Sequence, residues 1–310
     1  MMKKLTILSS IVLFSINFVQ SQGCIAIRNL AGFGQFAQLG YGQSTDKWMM
    51  DINNRYFEAY NLFAGKENTG YSDSINIYEY TLNLQLNHVM NNGWSFSLDV
   101  PIAANRIASR VEHASGFRHS TYAYGVGDIR FTLYKWLFNS TAASKGNIQV
   151  SLGIKFPTGN YHTEDYFYND PANPSAKVLA PVNVAIQLGD GGTGIMPEVN
   201  AFYIFNRMLS VYGNFFYLIN PKNQNGVPSI PPNILPSNVA ALFHQTTFDV
   251  NSVPDNYTMR AGANFTFDKF VGTAGLRYEG APAHDLIGQN DGLRRVGHIF
   301  SVEPGIQFKF

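Results

Sequence analysis

Residues Glu79-Tyr80-Thr81-Leu82-Asn83-Leu84-Gln85-Leu86-Asn87 decide the fold class, because polar and apolar side chains alternate there without a break. Successive side chains of a β-strand point to opposite faces, so this alternation puts every apolar side chain on one face and every polar one on the other. On a helix the same side chains would be scattered around the axis. The stretch therefore predicts a strand with one apolar and one polar face.

The same alternation recurs along the chain, most clearly at 94–102, 128–133, 148–156, 259–268 and 300–310. It predicts about ten strands, within a range of eight to twelve. Their expected positions are 47–61, 73–90, 93–109, 122–138, 147–158, 193–206, 208–221, 255–268, 270–282 and 295–310.

The connections between these strands alternate in length. Four are short, at 91–92, 139–146, 206–207 and 268–269, and five are long, at 62–72, 110–121, 159–192, 222–254 and 283–294. Short periplasmic turns and longer outer loops are typical of bacterial outer-membrane barrels. The chain also ends on Phe310 directly after a strand. A terminal phenylalanine resembles the signal by which the barrel assembly machinery recognises its clients, so that machinery is an expected partner.

A soluble β-sandwich is the alternative fold, since its strands also alternate. Sandwich strands are about five or six residues long, whereas several stretches here reach twelve or more. That length is close to what a tilted strand needs to cross the ~25 Å apolar band of a barrel in lipid. Aromatic residues near strand ends fit interfacial girdles: Trp48, Tyr56, Trp94, Trp136, Tyr203 and Phe270. We predict an all-β fold, a transmembrane antiparallel up-and-down β-barrel with long outer loops.

Composition supports this fold and excludes two other classes. Charged residues make up 14% of the chain, against ~25% in an ordinary soluble domain, yet mean hydropathy is only −0.10. Past the N-terminus, the sequence contains no apolar run of the ~18 residues that a membrane helix needs. Removal of Lys3 and Lys4 leaves 20 basic and 21 acidic residues. That balance argues against a nucleic-acid partner.

The N-terminal region predicts export to the cell outer membrane. Residues 1–21 have a basic start, an apolar core and small residues before the expected cleavage site, which is the pattern of a signal peptide. Residues 22–46 are either a periplasmic lead-in or a small plug that gates a hydrophobic solute, and 47–310 form the barrel. The single cysteine, Cys24, excludes an intramolecular disulfide. Lipid modification of Cys24 is an alternative to an unmodified thiol.

Charged residues on the polar strand faces are the candidate site residues. In lipid they would each cost several kcal/mol, so they are expected to face the lumen. The candidates are Glu79, Asp99, Asp128, Arg130, Lys155, Glu198, Arg260, Arg277, Glu279 and Glu303. Two interpretations stay open: an ion-pair network that fills a narrow barrel, or a polar conduit. Barrels of about eight strands are filled by their side chains, and ten strands is close to that limit.

Three glycine-containing motifs lie in the middle of the chain: 125–130 (GVGDIR), 152–159 (LGIKFPTG) and 187–192 (QLGDGG). Their order and spacing resemble outer-membrane proteins named after the MetA pathway of phenol degradation, of Bacteroidota type. The resemblance implies an outer-membrane barrel that passes aromatic or other hydrophobic compounds. Physically, Gly125 and Gly127 leave room for bending, Asp128 would pair inside the barrel, and 189–194 reads as a flexible return into the sixth strand.

Enzyme and metal chemistry have weaker signals. Histidines fall mostly in the expected outer loops, at His113, His119, His162, His244, His284 and His298, and no serine nucleophile motif is present. We expect no catalytic residue, no bound metal and no cofactor. A loop calcium site at Glu164, Asp165 and Asp170 is the alternative, because calcium takes hard oxygen ligands. Loop 222–254 is either an external loop or an apolar lid over the barrel mouth.

The expected function is a channel or transporter for a small, hydrophobic or aromatic solute, in contact with outer-membrane lipid. The first alternative is a non-transporting barrel with a structural or partner-binding role. The second is a surface enzyme of the outer membrane.

Overall fold

Ten long antiparallel strands form one continuous sheet in the computed structural model of the chain. The structure describes residues 48–60, 63–64, 67–68, 75–110, 112–113, 117–138, 145–168, 173, 175–228, 250–268, 270–289, 292 and 297–308. Within those ranges, no helix has the length and apolar character to span a membrane. The fold class is all-β, as the alternation predicts.

In chain order the strands are β1 (Trp48–Ala59), β2 (Phe63–Ala64), β3 (Glu67–Asn68), β4 (Ile75–Val89), β5 (Trp94–Ser109), β6 (His119–Val126), β7 (Arg130–Trp136), β8 (Gly146–Lys155), β9 (Glu164–Tyr168), β10 (Lys177–Pro181), β11 (Gly194–Ile204), β12 (Leu209–Leu218), β13 (Gln224–Pro228), β14 (Val250–Ser252), β15 (Asn256–Phe267), β16 (Phe270–Ala281) and β17 (Gly297–Phe308). A short 3-10 turn covers Asn91–Gly93.

The long strands follow one another across the sheet in chain order, β1-β4-β5-β7-β8-β11-β12-β15-β16-β17, with β6 beside β5. Strands β6 and β7 are the two halves of the fourth long strand. Each of the ten predicted strands is present within a few residues of its expected position. Three small hairpins, β2–β3, β9–β10 and β13–β14, lie within the long connections.

Short turns join the long strands at one end of the sheet, called here the turn end. The turn after β4 needs left-handed backbone, and it places Asn92 and Gly93 there, with φ of 59° and 74°. Asparagine and glycine tolerate this conformation best. The long connections lie at the opposite end, called the loop end. Part of the predicted short turn 139–146 lies outside the described residues.

The two faces of the sheet differ in the way the alternation predicts. Exposed and less exposed residues alternate along β1 in a period of two. The exposed positions carry large apolar side chains, such as Met50, Ile52, Leu133, Val199, Met259 and Val302. This outer face therefore presents to its surroundings the side chains that a soluble protein would bury.

The opposite face is concave. Arg55 of β1 forms an ion pair with Glu279 of β16 at 3.8 Å, although β1 is the first strand in the strand order and β16 is the ninth. Side chains from such distant strands can meet only if the sheet curls toward its polar face. The sheet is thus rolled with apolar side chains outside and polar ones inside.

Candidate functional site

A network of three arginines and two glutamates lies on the concave face near the loop end. Arg277 donates from Nε to Glu279 Oε2 at 2.8 Å, and its Nη1 lies 3.5 Å from Glu303 Oε1. Arg260 Nε lies 3.8 Å from the other oxygen of Glu303. The Arg55–Glu279 pair connects this network to β1. Ion pairs out of water gain little net stability; the network joins side chains of β1, β15, β16 and β17 across the concave face of the sheet, called here the wall.

The remaining candidate residues lie on the same face. Glu198 accepts a hydrogen bond from Asn214 Nδ2 at 2.7 Å, and Asp99 accepts one from Asn83 Nδ2 at 3.1 Å. Arg130 is directly opposite Asp99 in the β5–β7 register. Glu79 is buried on β4. The turn-end half of the face is lined mainly by neutral polar side chains, including Asn53, Asn83, Gln85, Asn87, Ser97, Thr132, Gln149 and Ser151.

The wall is interrupted between β6 and β7, at residues 127–129. Strand β6 pairs with the loop-end half of β5, from Ile102 to Ser109, and β7 pairs with its turn-end half and with β8. Strand β8 stops at Lys155, so in the described residues no long strand pairs with the second edge of β6. The β9–β10 hairpin lies there, and Tyr122 N donates to Asp165 Oδ2 at 2.8 Å. The expected bend near Gly125 and Gly127 is thus a break in the wall.

Residues 182–192, called here the inner segment, fold onto the concave face at this break. Within the segment, Ile186 is fully buried and Leu188 is 4% exposed. They pack in one apolar cluster with residues of four wall strands: Ala59, Ile77, Ala103, Ile107 and Ala123. Residues 182–192 of the expected outer loop 159–192 therefore lie on the concave face, and the flexible return at 189–194 stays a prediction. The segment fills the loop-end half of the concave face beside β4, β5 and β6.

Three charged residues, called here the latch, attach the inner segment to the wall. Lys155 Nζ lies 3.2 Å from Asp128 Oδ2 and also contacts Asp190 Oδ1. Asp128 accepts further hydrogen bonds from the backbone of Gly159 at 3.0 Å and of Asp190 at 3.4 Å. Sequence reasoning placed Asp128 and Lys155 inside, but it missed Asp190.

The three glycine-containing motifs meet at the latch. Motif 125–130 supplies Asp128, motif 152–159 supplies Lys155 and Gly159, and motif 187–192 supplies Gly189 and Asp190. A Cβ on Gly189 would lie 2.6 Å from both Asp128 Oδ1 and Gly159 O. Glycine is required here because the backbones of two motifs approach each other that closely. The joint appearance of these motifs was the signal that they form one site.

Neighbouring loops add contacts to the inner segment. Lys222 Nζ donates to Gly191 O at 2.9 Å, and Asn225 Nδ2 donates to Asp190 O at 3.3 Å. Gln187 Nε2 donates to Val182 O at 2.9 Å within the segment. The inner segment is therefore also held by the long connection that follows β12.

The histidines and loop acids have structural contacts. His113 Nδ1 accepts a hydrogen bond from the backbone N–H of Tyr168 at 3.2 Å, and the His119 ring stacks on Tyr168. Burial, and then the neighbouring His119, lower the pKa of His113 to about 4. Within the described ranges no group of three or more His, Cys, Asp or Glu side chains is arranged to hold a metal ion. Asp170 and His244, named in the calcium and enzyme alternatives, lie outside those ranges.

Several predictions concern other residues outside the described part of the chain. They are the signal peptide 1–21, the lead-in or plug 22–46, the state of Cys24, and the apolar lid, of which 229–249 are outside. The hairpin β13–β14 forms the base of that last connection.

The fold defines a class: an antiparallel up-and-down sheet, rolled with its polar face inward, whose connection between β8 and β11 enters the concave side. No protein-family model matches the chain, and no curated protein matches it. One solved structure that matches is a FadL homologue from Pseudomonas aeruginosa, with a TM-score of 0.39 and 10% sequence identity over 86% of this chain. The match covers 64% of that protein. A likeness at this level does not assign a function.

Proposed function

We propose that the chain is an outer-membrane β-barrel that passes a small, largely apolar solute, and that the inner segment controls its route. The observation that carries the proposal is that the long antiparallel strands expose their apolar face and turn their polar face inward, which is the reverse of a soluble protein. Exposed apolar side chains cover the outside, while charges and neutral polar groups are on the concave side. Only a hydrocarbon environment makes such an exterior favourable over a whole sheet.

Exposed tryptophan and tyrosine side chains of the outer face cluster toward its two ends, which supports a membrane position, while exposed phenylalanines such as Phe131 and Phe215 also lie between them. At the turn end the exposed rings are Trp48, Trp94, Tyr203, Phe205, Phe267 and Phe270, and toward the loop end they are Tyr56, Tyr60, Tyr80, Tyr122 and Tyr124. Trp48 and Tyr56 are on the same strand. Their eight-residue separation corresponds to about 27 Å along a strand, or about 21 Å at a tilt of ~40°. That height is close to the ~25 Å apolar band of a barrel in an outer membrane.

The concave face supports a route for a solute with little charge. Its loop-end half is apolar beside β4, β5 and β6, where Ile77, Ala103, Ile107 and Ala123 lie. Its turn-end half is mainly neutral and polar, with Asp51, Asp99 and Arg130 as charged positions. The inner segment occupies the apolar part, so a solute that enters from the loop end must displace it. A family resemblance to barrels for aromatic and hydrophobic compounds, based on the three motifs, agrees with this route.

The test uses the chain without its expected signal peptide, folded into vesicles with a lipopolysaccharide outer leaflet, which slows entry of apolar compounds. N-phenylnaphthylamine, which fluoresces in an apolar environment, reports entry. We expect faster entry than in protein-free vesicles, and channel events in planar bilayers. Folding is checked by the shift in gel mobility on boiling. Entry at the protein-free rate, by protein that shows the mobility shift, would contradict the proposal.

A non-transporting barrel is the second candidate function, and one observation favours it. The charged network and the inner segment together fill much of the loop-end half of the concave face. If variants that detach the inner segment also give no channel events, a structural or partner-binding role explains the fold better. The enzyme alternative is tested separately, by hydrolase assays on His113→Ala, since His113 is the most buried loop histidine of the described part.

A further inference from the structure

Ile186 of the inner segment presents an apolar side chain and a backbone carbonyl group to the wall. The Ile186 side chain lies in the apolar cluster with Ile77, Ile107 and Ala123. Its backbone carbonyl accepts a hydrogen bond from Asn105 Nδ2 at 3.1 Å. The wall thus contacts the segment through the two features by which a pocket recognises a small molecule: apolar surface and a directed polar group.

Asn105 has further hydrogen-bonding capacity at the same place. It is 2% exposed, and its Oδ1 has no hydrogen-bond partner in the described structure. Thr121 is fully buried, and its Oγ1 also has no partner there. In the β5–β6 register Asn105 is opposite Ala123, two positions from Thr121 on the same face. Buried polar atoms without partners cost free energy, so an acceptor and a hydroxyl are available for a ligand beside the Ile186 carbonyl.

We infer that the inner face of β4, β5 and β6 is a solute-binding site, which the inner segment occupies with Ile186, and that Asn105 is its specificity-determining residue. This inference rests on the proposed function, because it names the site that a solute would enter. The ligand class is a small, uncharged molecule with an aliphatic body and a terminal group that accepts and donates a hydrogen bond, such as a primary amide. Its carbonyl replaces Ile186 O at Asn105 Nδ2, and its N–H donates to Asn105 Oδ1.

The charge of the ligand follows from the lining. The apolar cluster residues, Asn105 and Thr121 are uncharged, and the charged neighbour of Asn105 across the β4–β5 register is the carboxyl group of buried Glu79. A carboxylate would bring a charge to this lining and would offer Oδ1 no proton to accept. Since transferring an ion from water into such surroundings is costly, the site should discriminate between an amide and its isosteric carboxylate.

The probe pair is therefore 3-methylpentanamide, which copies the carbonyl and side chain of Ile186, and 3-methylpentanoate. Binding to the folded chain in detergent is measured by saturation-transfer NMR, with protein-free micelles as the background, at pH 7.5. We expect saturable binding of the amide and at least tenfold weaker binding of the carboxylate. Asn105→Leu should weaken amide binding by roughly tenfold, and Lys155→Met, which loosens the competing segment, should strengthen it. Thr121→Val serves as a second wall variant if Asn105→Leu does not fold.

The outcomes separate this site from the transport proposal. Equal binding of amide and carboxylate, or no saturable amide binding by Lys155→Met, would overturn the site. An amide affinity that is unchanged in folded Asn105→Leu, or in folded Thr121→Val where the first variant fails, would overturn the role of these wall residues. Vesicle entry without amide binding would leave transport standing and reject the site. Amide binding without vesicle entry would support the site and reject transport.

Discussion

Replacement of Lys155 by methionine should detach the inner segment. Lys155 is nearly fully buried, and it is the shared cation of Asp128 on the wall and Asp190 on the segment. Methionine keeps most of the side-chain volume and removes the charge. The two carboxylates then face each other without their cation, one on each side of the junction between segment and wall.

The size of the effect follows from the geometry. Both carboxylate oxygens contact the same nitrogen, one of them at 3.2 Å, and for the charge calculation we take a separation on the order of 5 Å between the two oxygens. Two like charges at ~5 Å repel by about 3 kcal/mol at an effective dielectric constant of ~20. Removal of one partner from a buried ion pair is known to cost a similar ~3–5 kcal/mol. A change of about 3 kcal/mol raises the ratio of detached to attached segment roughly 100-fold.

Single-channel recording in planar bilayers is the assay. We expect rare, brief openings for the unchanged chain and long openings for Lys155→Met. Lys135→Met is a matched control, because Lys135 is a partly exposed lysine over the Trp94 ring at the turn end. The triple change Lys155→Met, Asp128→Asn, Asp190→Asn removes the repulsion and should restore brief openings. If folded Lys155→Met opens no more often than Lys135→Met, the latch does not control the route.

Three other changes test separate features of the molecule. Val199 lies at mid-strand on the exposed face of β11, and Val199→Arg should destabilise the fold in lipid by ~2–4 kcal/mol. Tyr203→Arg, on the same face near the turn end, should cost only ~0–1 kcal/mol. Both losses are measured by urea titration of vesicle-folded protein, and equal losses would argue against the membrane position. The contact between His113 and the Tyr168 N–H should weaken as pH falls from 6.5 toward 4. A His113 side chain released from this contact takes up a proton near the ordinary pKa of 6.5, whereas the buried side chain does so only near its lowered pKa of about 4. Hydrogen exchange at the Tyr168 amide, corrected for intrinsic rates, should show this loss of protection, and a flat profile would contradict it. Gly189→Ala should lengthen the openings in single-channel recordings, because the added Cβ would lie 2.6 Å from Asp128 Oδ1 and from Gly159 O. Openings of unchanged length would show that the segment tolerates the added atom.

The strands of this fold could be predicted from local sequence, because a strand with one apolar and one polar face shows apolar and polar residues in alternation along the chain. The stretch from Glu79 to Asn87 is a strand with its polar residues on the less exposed face, as its alternation indicates. The order of the strands in the sheet could also be predicted from the sequence, since short turns can join only neighbouring antiparallel strands.

The inner segment could not be placed in the same way. Ile186 and Leu188 are buried because of contacts with Ala103 and Ala123, about sixty to eighty residues away in the chain. A long connection rich in glycine has no periodicity that would report such a contact. The signal for the latch in the sequence is the charge of Asp128 and Lys155. Both residues are expected inside, and a buried charge needs a partner. Asp190 was the missing partner, within a motif already recognised but interpreted as a flexible connection.

The latch joins positions 128, 155 and 190, which belong to three successive parts of the chain. Two of the three side chains are carboxylates and one is an ammonium group. Because each carboxylate is tolerated only while the ammonium group is present, the three residues should be inherited as a unit. A descendant that lost the lysine would be under selection to replace both acids, and a chimera that exchanged only one of the three segments with a distant relative would inherit a mismatch. The order in which these replacements accumulate in a lineage would record whether its inner segment was, at that time, attached to the wall by charge.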